Sequence, residues 1–231
     1  MNRTANVVRM QFVNRNVFIW IPLIVLVGAF AVSLMIYGII SSAGAAGPYY
    51  GGGAQAPLWT LLAVGIQALT LSFPFSQAMS VTRKEFYLGT LLSAAVTSAV
   101  LAVVFVIGGL IEKATGGWWL NGYFFHLPWI WENGPAAAAL VYFSIAMLFF
   151  VMGFWGATIF KRWGITVLTI VLVALGLLLV AALWLVARAN AWVQIGTWFV
   201  AQGALGLALW GLALIVVLAG FSYWTLRRAV P

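Results

Sequence analysis

The stretch from Val17 to Ile40, VFIWIPLIVLVGAFAVSLMIYGII, decides the fold, because it is a continuous apolar run long enough for a helix to cross a lipid bilayer. Arginines precede it and the small residues Ala43-Gly44-Ala45 follow it, so a secretory signal peptide is the alternative. The apolar core of a signal peptide is only about 7–15 residues long. The greater length of this stretch predicts a retained transmembrane helix.

The composition of the whole chain points to a lipid environment. Of its 231 residues, 65% are hydrophobic and 6% are charged, and the mean hydropathy is +1.11. A soluble domain has roughly 25% charged residues, so a water-soluble fold is excluded. The chain has no cysteine, which excludes disulfides and thiolate metal sites, and its one histidine and three acids leave little material for catalysis.

The chain contains six long apolar stretches, separated by polar, charged or Gly/Pro-rich breaks. A bilayer core about 30 Å thick requires about 20 apolar residues per helix, and each stretch reaches that length. The predicted spans are 17–40, 58–79, 88–111, 136–159, 164–187 and 199–223. The sequence therefore predicts an all-α polytopic membrane protein whose residues 1–231 form a single transmembrane domain.

The net charge of +8 is concentrated in alternate loops. With the N-terminus inside, nine of the eleven Lys and Arg residues lie on the cytoplasmic side, as the positive-inside rule requires. These nine are Arg3, Arg9, Arg15, Arg83, Lys84, Lys161, Arg162, Arg227 and Arg228. We therefore expect a plasma-membrane protein with both termini cytoplasmic. A nucleic-acid partner is not expected, because these residues flank helices instead of forming one folded face.

The predicted spans contain uncharged polar residues but no Asp, Glu, Lys, Arg or His. This pattern argues against a proton- or sodium-coupled carrier, which keeps a titratable group at membrane depth. Five of these polar residues are candidates for a path, four in span 2 and one in span 6: Gln67, Thr70, Ser72, Gln77 and Gln202. They either hydrogen-bond between helices or line a translocation path, and the sequence leaves both interpretations open.

Small residues recur every four positions in two of the spans. They are Gly89, Ser93 and Thr97 in span 3, and Gly153 and Ala157 in span 4. This spacing lets the backbones of neighbouring helices approach closely in lipid. Packing within the chain is the favoured interpretation, and a subunit interface is the alternative.

The segment 41–57, SSAGAAGPYYGGGAQAP, is uncharged and rich in glycine and alanine. We expect it to be a flexible linker on the outer face. Its glycine triplet is not a nucleotide-binding loop, because that motif requires a Gly-Lys pair and the chain contains none.

The segment 112–135, EKATGGWWLNGYFFHLPWIWENGP, concentrates aromatic side chains. Trp and Tyr prefer the headgroup layer of a membrane, so an interfacial helix or a re-entrant hairpin is expected on the outer face. The functional alternative is an aromatic rim that guides an amphipathic substrate, formed by Trp118, Trp119, Tyr123, Phe124, Phe125, Trp129 and Trp131. His126 is the only histidine of the chain, so no metal site is predicted.

The inner segment 80–89, SVTRKEFYLG, differs in character from a plain turn. Thr82 and Glu85 have the S/T-x-x-E spacing of a capping box, so a helix is expected to begin here and to run into span 3. Its charged tip is followed by two aromatic residues, Phe86 and Tyr87, which are expected to be exposed. A simple turn would need only the basic pair, so the segment predicts contact with a cytoplasmic partner.

The pattern S-x-T-R-K-E-F-x-x-G at 80–89, after the second of six spans, resembles the membrane subunits of ABC-2 type ABC transporters. In that family an amphipathic elbow precedes the first span, and a coupling helix between spans 2 and 3 docks on the ATPase. The resemblance implies an elbow at residues 1–16 and a coupling helix at 80–87. The implied docking residues are Ser80, Thr82, Arg83, Lys84, Glu85, Phe86 and Tyr87.

The resemblance also implies a function. The chain would be the permease subunit of an ATP-driven exporter of a hydrophobic or amphipathic substrate, and not itself an enzyme. It would carry no cofactor, since ATP and magnesium would be bound by a separate cytoplasmic ATPase present in two copies. Six spans are half of the usual twelve, so a second copy or a sister permease would complete the pathway.

Two other functions stay open. The substrate-binding membrane subunit of an energy-coupling-factor importer also has six spans, but it predicts an outer vitamin or metal pocket and no charged, capped helix after span 2. A passive membrane assembly or immunity protein is the second alternative. A membrane-embedded enzyme would need a Ser/His or paired-acid constellation, which the sequence does not offer.

Overall fold

The computed structural model describes residues 3–13 and 16–227, and in these ranges the chain is almost entirely helical. Asn14, Arg15 and Arg228, which belong to the predicted elbow and basic loops, lie outside the described residues. The α-helices are α1 (Arg3–Val13), α2 (Ile21–Ser42), α3 (Ala56–Thr70), α4 (Ser72–Ala78), α5 (Arg83–Ala114), α6 (Pro128–Trp131), α7 (Gly134–Arg188) and α8 (Trp192–Leu226). Two short strands, β1 (Tyr49–Tyr50) and β2 (Gly122–Tyr123), pair in parallel.

Five helical stretches of the described residues are long and apolar enough to cross a membrane. They are Asn16–Ser42, Gly52–Ala78, Arg83–Ala114, Gly134–Arg188 and Trp192–Leu226. The first begins with a π-helical turn, Asn16–Trp20, that continues into α2. The prediction of an all-α membrane protein is therefore confirmed, and the chain is a multi-pass membrane protein.

The second of these stretches is broken between α3 and α4. Leu71 separates the two helices, with φ −101° and ψ −45°. The break is explained by Pro74, which lacks the N–H that would bond to the carbonyl of Thr70 and whose ring crowds that carbonyl. The polar residues of span 2 therefore belong to two helices, Gln67 and Thr70 to α3 and Ser72 and Gln77 to α4.

Two glycines interrupt the longest helices. Gly164 in α7 has φ +82° and ψ −179°, and Gly203 in α8 has φ +61° and ψ −177°. Both φ values lie in the left-handed region that glycine adopts without steric cost. The predicted spans 136–159 and 164–187 both fall within α7, on the two sides of Gly164, and none of residues 165–202 is buried.

The core depends on close approach of helix backbones. A Cβ atom at Gly65 of α3 would overlap the carbonyl oxygen of Phe150 in α7, and one at Gly153 would overlap the carbonyl oxygen of Leu62. A Cβ atom at Gly89 would lie 2.6 Å from Val7 of α1. Packing within the chain, the favoured interpretation of the small residues, is confirmed at Gly89 and Gly153.

The segment 41–57 is not a flexible linker, contrary to expectation. Its strand β1 pairs with β2 of the distant aromatic segment, with Tyr49 opposite Gly122. Its glycines are contact positions, because a Cβ atom at Gly51 would lie 2.5 Å from the hydroxyl of Tyr37 and one at Gly53 would lie 2.9 Å from Phe124. The glycines therefore permit close packing here and do not serve flexibility.

Candidate functional site

The start of α5 forms a capped tip, as predicted. The side chain of Thr82 accepts a hydrogen bond from the backbone N–H of Glu85 at 3.3 Å. In return, the backbone N–H of Thr82 donates to the carboxylate of Glu85 at 3.0 Å. The capping box inferred from the sequence is therefore confirmed, with Thr82 as the N-cap. The helix begins at Arg83 and continues to Ala114 without a separate short helix at 80–87.

The turn before the tip is stabilised by two hydrogen bonds. The backbone N–H of Val81 donates to the carbonyl of Ser76 at 3.1 Å, and the side-chain amide of Gln77 donates to the carbonyl of Val81 at 3.0 Å. Ser80 has a φ of +56°. Met79 is 60% exposed at the end of this turn, and Ser80, Thr82 and Lys84 are also exposed, while Arg83 and Glu85 are half-buried.

The two aromatic residues after the tip are buried, which corrects the prediction that they are exposed. Phe86 is fully buried, and its ring centroid lies 5.2 Å from that of Phe73 in α4. Tyr87 is 6% exposed and donates its hydroxyl to the carbonyl of Ala219 in α8 at 2.5 Å. The reason is helical continuity: residues 86, 87, 90, 93, 94 and 97 fall on one face of α5, and that face packs into the core.

A second connection to α8 was not visible in the sequence. The guanidinium of Arg83 donates to the backbone carbonyls of Leu226 at 3.3 Å and Arg227 at 2.7 Å. These carbonyls lie at the C-terminus of α8, where a helix lacks its own hydrogen-bond donors and favours a positive charge. Because the two partners are separated by more than 140 positions in the chain, no local pattern pointed to this contact.

The N-terminal helix packs against the same part of α5. Val7 and Gln11 of α1, one helical turn apart, are 1% and 2% exposed. Val7 covers Gly89, and the side-chain amide of Gln11 donates to the hydroxyl of Thr90 at 2.6 Å. The tip of α5 is therefore connected to α1, α4 and α8. We call this end of the molecule, where Arg83, Lys84, Arg162 and Arg227 lie, the basic end.

The structure does not bring the residues considered for a translocation path together in one cavity. Thr70 donates its hydroxyl to the carbonyl of Ile66 in its own helix at 3.0 Å, and Gln77 is engaged in the turn. Gln67 and Ser72 are half-buried, and Gln202 lies beside Gly206 one turn further along α8. Their role in a path stays a prediction.

The opposite end is built around a carboxylate, that of Glu112, to which the sequence assigned no role. Glu112 is fully buried. Its carboxylate accepts hydrogen bonds from the indole N–H of Trp118 at 2.7 Å and from the backbone N–H groups of Phe124, Phe125 and His126 at 2.8, 2.8 and 2.5 Å. Four donors at these distances satisfy a buried carboxylate, so Glu112 fixes the fold of the loop above it. We call this the Glu112 end.

The aromatic segment is a folded cap and not the interfacial helix or re-entrant hairpin expected. Its only α-helix is α6, four residues long. Phe124, Phe125 and Trp131 are buried, which contradicts an exposed aromatic rim formed by the whole set. Trp119 and Trp129 are 83% and 52% exposed, whereas Trp118 and Tyr123 are half-buried.

Two hydrogen bonds and one stacking contact explain why this cap is aromatic. The indole N–H of Trp131 and the hydroxyl of Tyr142 both donate to the carbonyl of Phe125, at 3.1 and 2.5 Å. The imidazole of His126 stacks on Trp131, with the ring centroids 4.8 Å apart. Large rings with a single donor fill the core and also satisfy the buried backbone of the loop. The concentration of aromatics is thus a feature of packing.

Comparison with known proteins adds no relative: no family model matches the chain, and no curated protein or solved structure is similar to it.

Proposed function

We propose that this chain is the membrane-spanning permease subunit of an ATP-driven exporter, with a separate cytoplasmic ATPase docking at the basic end. The observation that supports this function is the turn and helix start at residues 79–90, whose exposed residues stand beside side chains that contact α1, α4 and α8. A topogenic turn between two spans needs only basic residues. The additional contacts give the tip a mechanical connection to the rest of the bundle.

The side-chain contacts at the start of α5 define how a force on the tip would be transmitted to the other helices. The contact between Phe86 and Phe73 couples the tip to α4, and the hydrogen bonds of Arg83 and Tyr87 couple it to the last turns of α8. The contacts of Gly89 and Thr90 with α1 add the N-terminal helix, in the place of the elbow. Since a packed interface moves as a unit, closure of an ATPase dimer against the tip would tilt these helices together.

The burial of the tip residues assigns them different roles in this proposal. Met79 and Lys84 are exposed and would contact the ATPase, with Ser80 and Thr82 beside them. An exposed methionine and an exposed lysine at the same turn are suited to an interface with an apolar centre and a polar rim. Phe86 and Tyr87 would serve as the internal brace of the coupling element and not as its contact surface.

Six membrane crossings are part of the proposal, and they require α7 to turn back at Gly164. A straight α7 of 55 residues would be about 80 Å long, far more than a bilayer. Thr158 lies 2.7 Å from Thr225 at the basic end, whereas Gly203 faces Glu132 at the Glu112 end. The helical stretch 192–202 is only about 17 Å long, too short to cross a bilayer from Gly203, so the start of α8 and the neighbouring Arg188 would lie on the side of the Glu112 end. This chain-length argument supports two separate crossings, 136–159 and 164–187.

The charges support the orientation. Arg9, Arg83, Lys84, Lys161, Arg162 and Arg227 belong to the basic end, and Lys113 and Arg188 to the opposite one. By the positive-inside rule the basic end would face the cytoplasm of the plasma membrane, where an ATPase can reach it. A second copy or a sister permease would complete the pathway, and a hydrophobic or amphipathic substrate suits a chain with so few charges.

Co-purification tests the docking surface. The tagged chain is expressed together with the ATP-binding-cassette ATPase encoded nearest to its gene and is purified in mild detergent. We expect the wild type to retain the ATPase, and a Met79→Glu/Lys84→Glu double variant to lose at least about tenfold of it, because removal of a central interface anchor costs about 2 kcal/mol or more. The measurement is the molar ratio of ATPase to permease on quantitative gels.

The matched control is Lys113→Glu, the same charge change at the Glu112 end, which should retain the ATPase at the wild-type ratio. Thermal unfolding of all variants verifies that the fold is intact. If the wild type retains no ATPase, or if Lys113→Glu lowers the ratio as much as the double variant, the proposed docking site is wrong and a passive or substrate-binding role becomes the better account.

A further inference from the structure

Two shallow, open apolar grooves adjoin near the basic end: the first is on the outward face of α8 alone, and the second lies between α5 and α8. The first has a volume of about 490 Å³ and is lined by Val217, Gly220, Phe221 and Trp224. The second has a volume of about 380 Å³ and is lined by Lys84, Tyr87, Leu88, Leu91, Ala219, Gly220 and Tyr223. Gly220 belongs to both grooves, and nothing lies within 4 Å of the position that its Cβ atom would occupy. We call this shared surface the Gly220 saddle.

Basic side chains border both grooves at the same end. Lys84 lines the second groove and is exposed, and the guanidinium of Arg227 lies 5.9 Å from the ring centroid of Tyr223. At the first groove, the guanidinium of Arg162 lies 5.3 Å from the ring centroid of Trp224. The one acid of this region, Glu85, bonds to the N-cap Thr82, so the border of the saddle carries a net positive charge.

Arg162 supplies an independent observation, an unpaired guanidinium donor beside the first groove. Its guanidinium lies between two indole rings, 3.9 Å from that of Trp163 and 5.3 Å from that of Trp224. Its Nη1 atom is buried, yet it has no hydrogen-bond partner among the described residues. A buried guanidinium donor without an acceptor is costly, so an anionic oxygen at this position would remove the penalty.

We propose that the Gly220 saddle binds one anionic phospholipid, with its two acyl chains on either side of Gly220 and its phosphate at the basic residues that border the grooves. Basic pockets between transmembrane helices hold such headgroups, while the apolar floor suits acyl chains. A second copy of this chain is a poorer occupant, because a symmetric contact would bring like charges together. The inference depends on the membrane location of the chain and not on the proposed transport function.

Lipid retention tests the site. The protein is reconstituted into nanodiscs of equal parts phosphatidylglycerol and phosphatidylcholine, extracted in mild detergent, and its bound lipids are counted by native mass spectrometry. We expect phosphatidylglycerol to be enriched over phosphatidylcholine. Gly220→Leu, which fills the saddle, should remove most of the bound phosphatidylglycerol. Arg162→Gln and Lys84→Gln should each lower it about fivefold, the effect of one basic residue at an anionic lipid surface.

Matched controls separate the site from general effects. Gly176→Leu adds the same side chain at another open position of a long helix, and Lys113→Gln removes a charge at the Glu112 end. Both should retain phosphatidylglycerol at the wild-type level. Equal retention of the two lipids by the wild type would overturn the proposal, and so would equal losses in Gly220→Leu and Gly176→Leu. A dimer that Gly220→Leu converts to monomer with unchanged lipid content would assign the saddle to a second copy instead.

Discussion

The two ends of α5 each carry a glutamate, and the two side chains do very different work. Glu85, in the first turn, is half-buried and completes a capping box with Thr82. Glu112, in the last turns, is fully buried and accepts hydrogen bonds from one indole and three backbone N–H groups. The same residue type therefore closes a helix at one end and organises a folded cap at the other.

The difference comes from solvation. A half-buried carboxylate keeps part of its water, so its hydrogen bonds replace others of similar strength and contribute little net stability. A fully buried carboxylate has lost its water and is tolerated only where protein donors replace it. The fold of the cap at the Glu112 end and the burial of Glu112 consequently depend on each other. The basic end is instead stabilised by several smaller contacts, so the loss of any one of them leaves the others in place.

The substitution Glu112→Ala should produce the largest effect. It leaves four donors without an acceptor, of which the N–H groups of Phe124 and Phe125 are buried, and each buried donor left unsatisfied costs about 1–3 kcal/mol. We expect a loss of about 3–5 kcal/mol in the free energy of unfolding and a change in tryptophan fluorescence as Trp118 is released. The measurement is chemical unfolding in detergent micelles, followed by fluorescence.

Glu132→Ala is the control, since Glu132 is an exposed acid at the same end. It should change the free energy of unfolding by less than about 0.5 kcal/mol. Equal losses in the two variants would mean that Glu112 does not organise the cap, and the contrast between the two glutamates would disappear.

Tyr87→Phe should have an intermediate effect at the basic end. The substitution removes the hydroxyl that donates to Ala219 and lies 3.1 Å from the Ser222 hydroxyl, but it keeps the ring in the core. We expect a loss of about 1–1.5 kcal/mol, the net value of one buried hydrogen bond. Unfolding under the same conditions measures it, with Tyr50→Phe as the control because Tyr50 is 51% exposed at the other end. A loss as large as that of Glu112→Ala would show that the basic end also depends on a single contact.

The elements that the sequence predicted well are those specified by local patterns. Apolar length predicted the membrane helices, and the Thr82–Glu85 spacing predicted the start of α5, because hydrophobic runs and caps depend on neighbouring residues. The small residues at Gly89 and Gly153 likewise indicated close helix packing. The break before Pro74 follows from the chemistry of proline itself.

The features that the sequence did not predict all depend on contacts between distant residues. The role of Glu112 was missed because its backbone partners Phe124 and His126 lie 12 and 14 positions further along the chain. No sequence motif indicates that the chain folds back over this distance. The interface preference of Trp and Tyr was a poor guide at 118–131, since burial under Glu112 decided their positions. Phe86 and Tyr87 were expected on the surface because the tip was considered apart from the continuous face of α5.

Thr82→Ala should have the smallest effect and is the most local test of the comparison. The substitution removes the hydroxyl that accepts from the Glu85 N–H, and loss of a threonine N-cap costs about 0.5–2 kcal/mol, with the lower half of that range expected for an exposed cap. Thr82→Ser keeps the hydroxyl and should restore wild-type stability. Hydrogen exchange at the amides of residues 83–86 should accelerate in the alanine variant alone. The amides of residues 124–126, in the folded aromatic segment at the Glu112 end, should stay protected. If the amides of residues 124–126 also exchange faster, the two ends of α5 are coupled along the helix. The independence inferred from their separate contacts is then wrong.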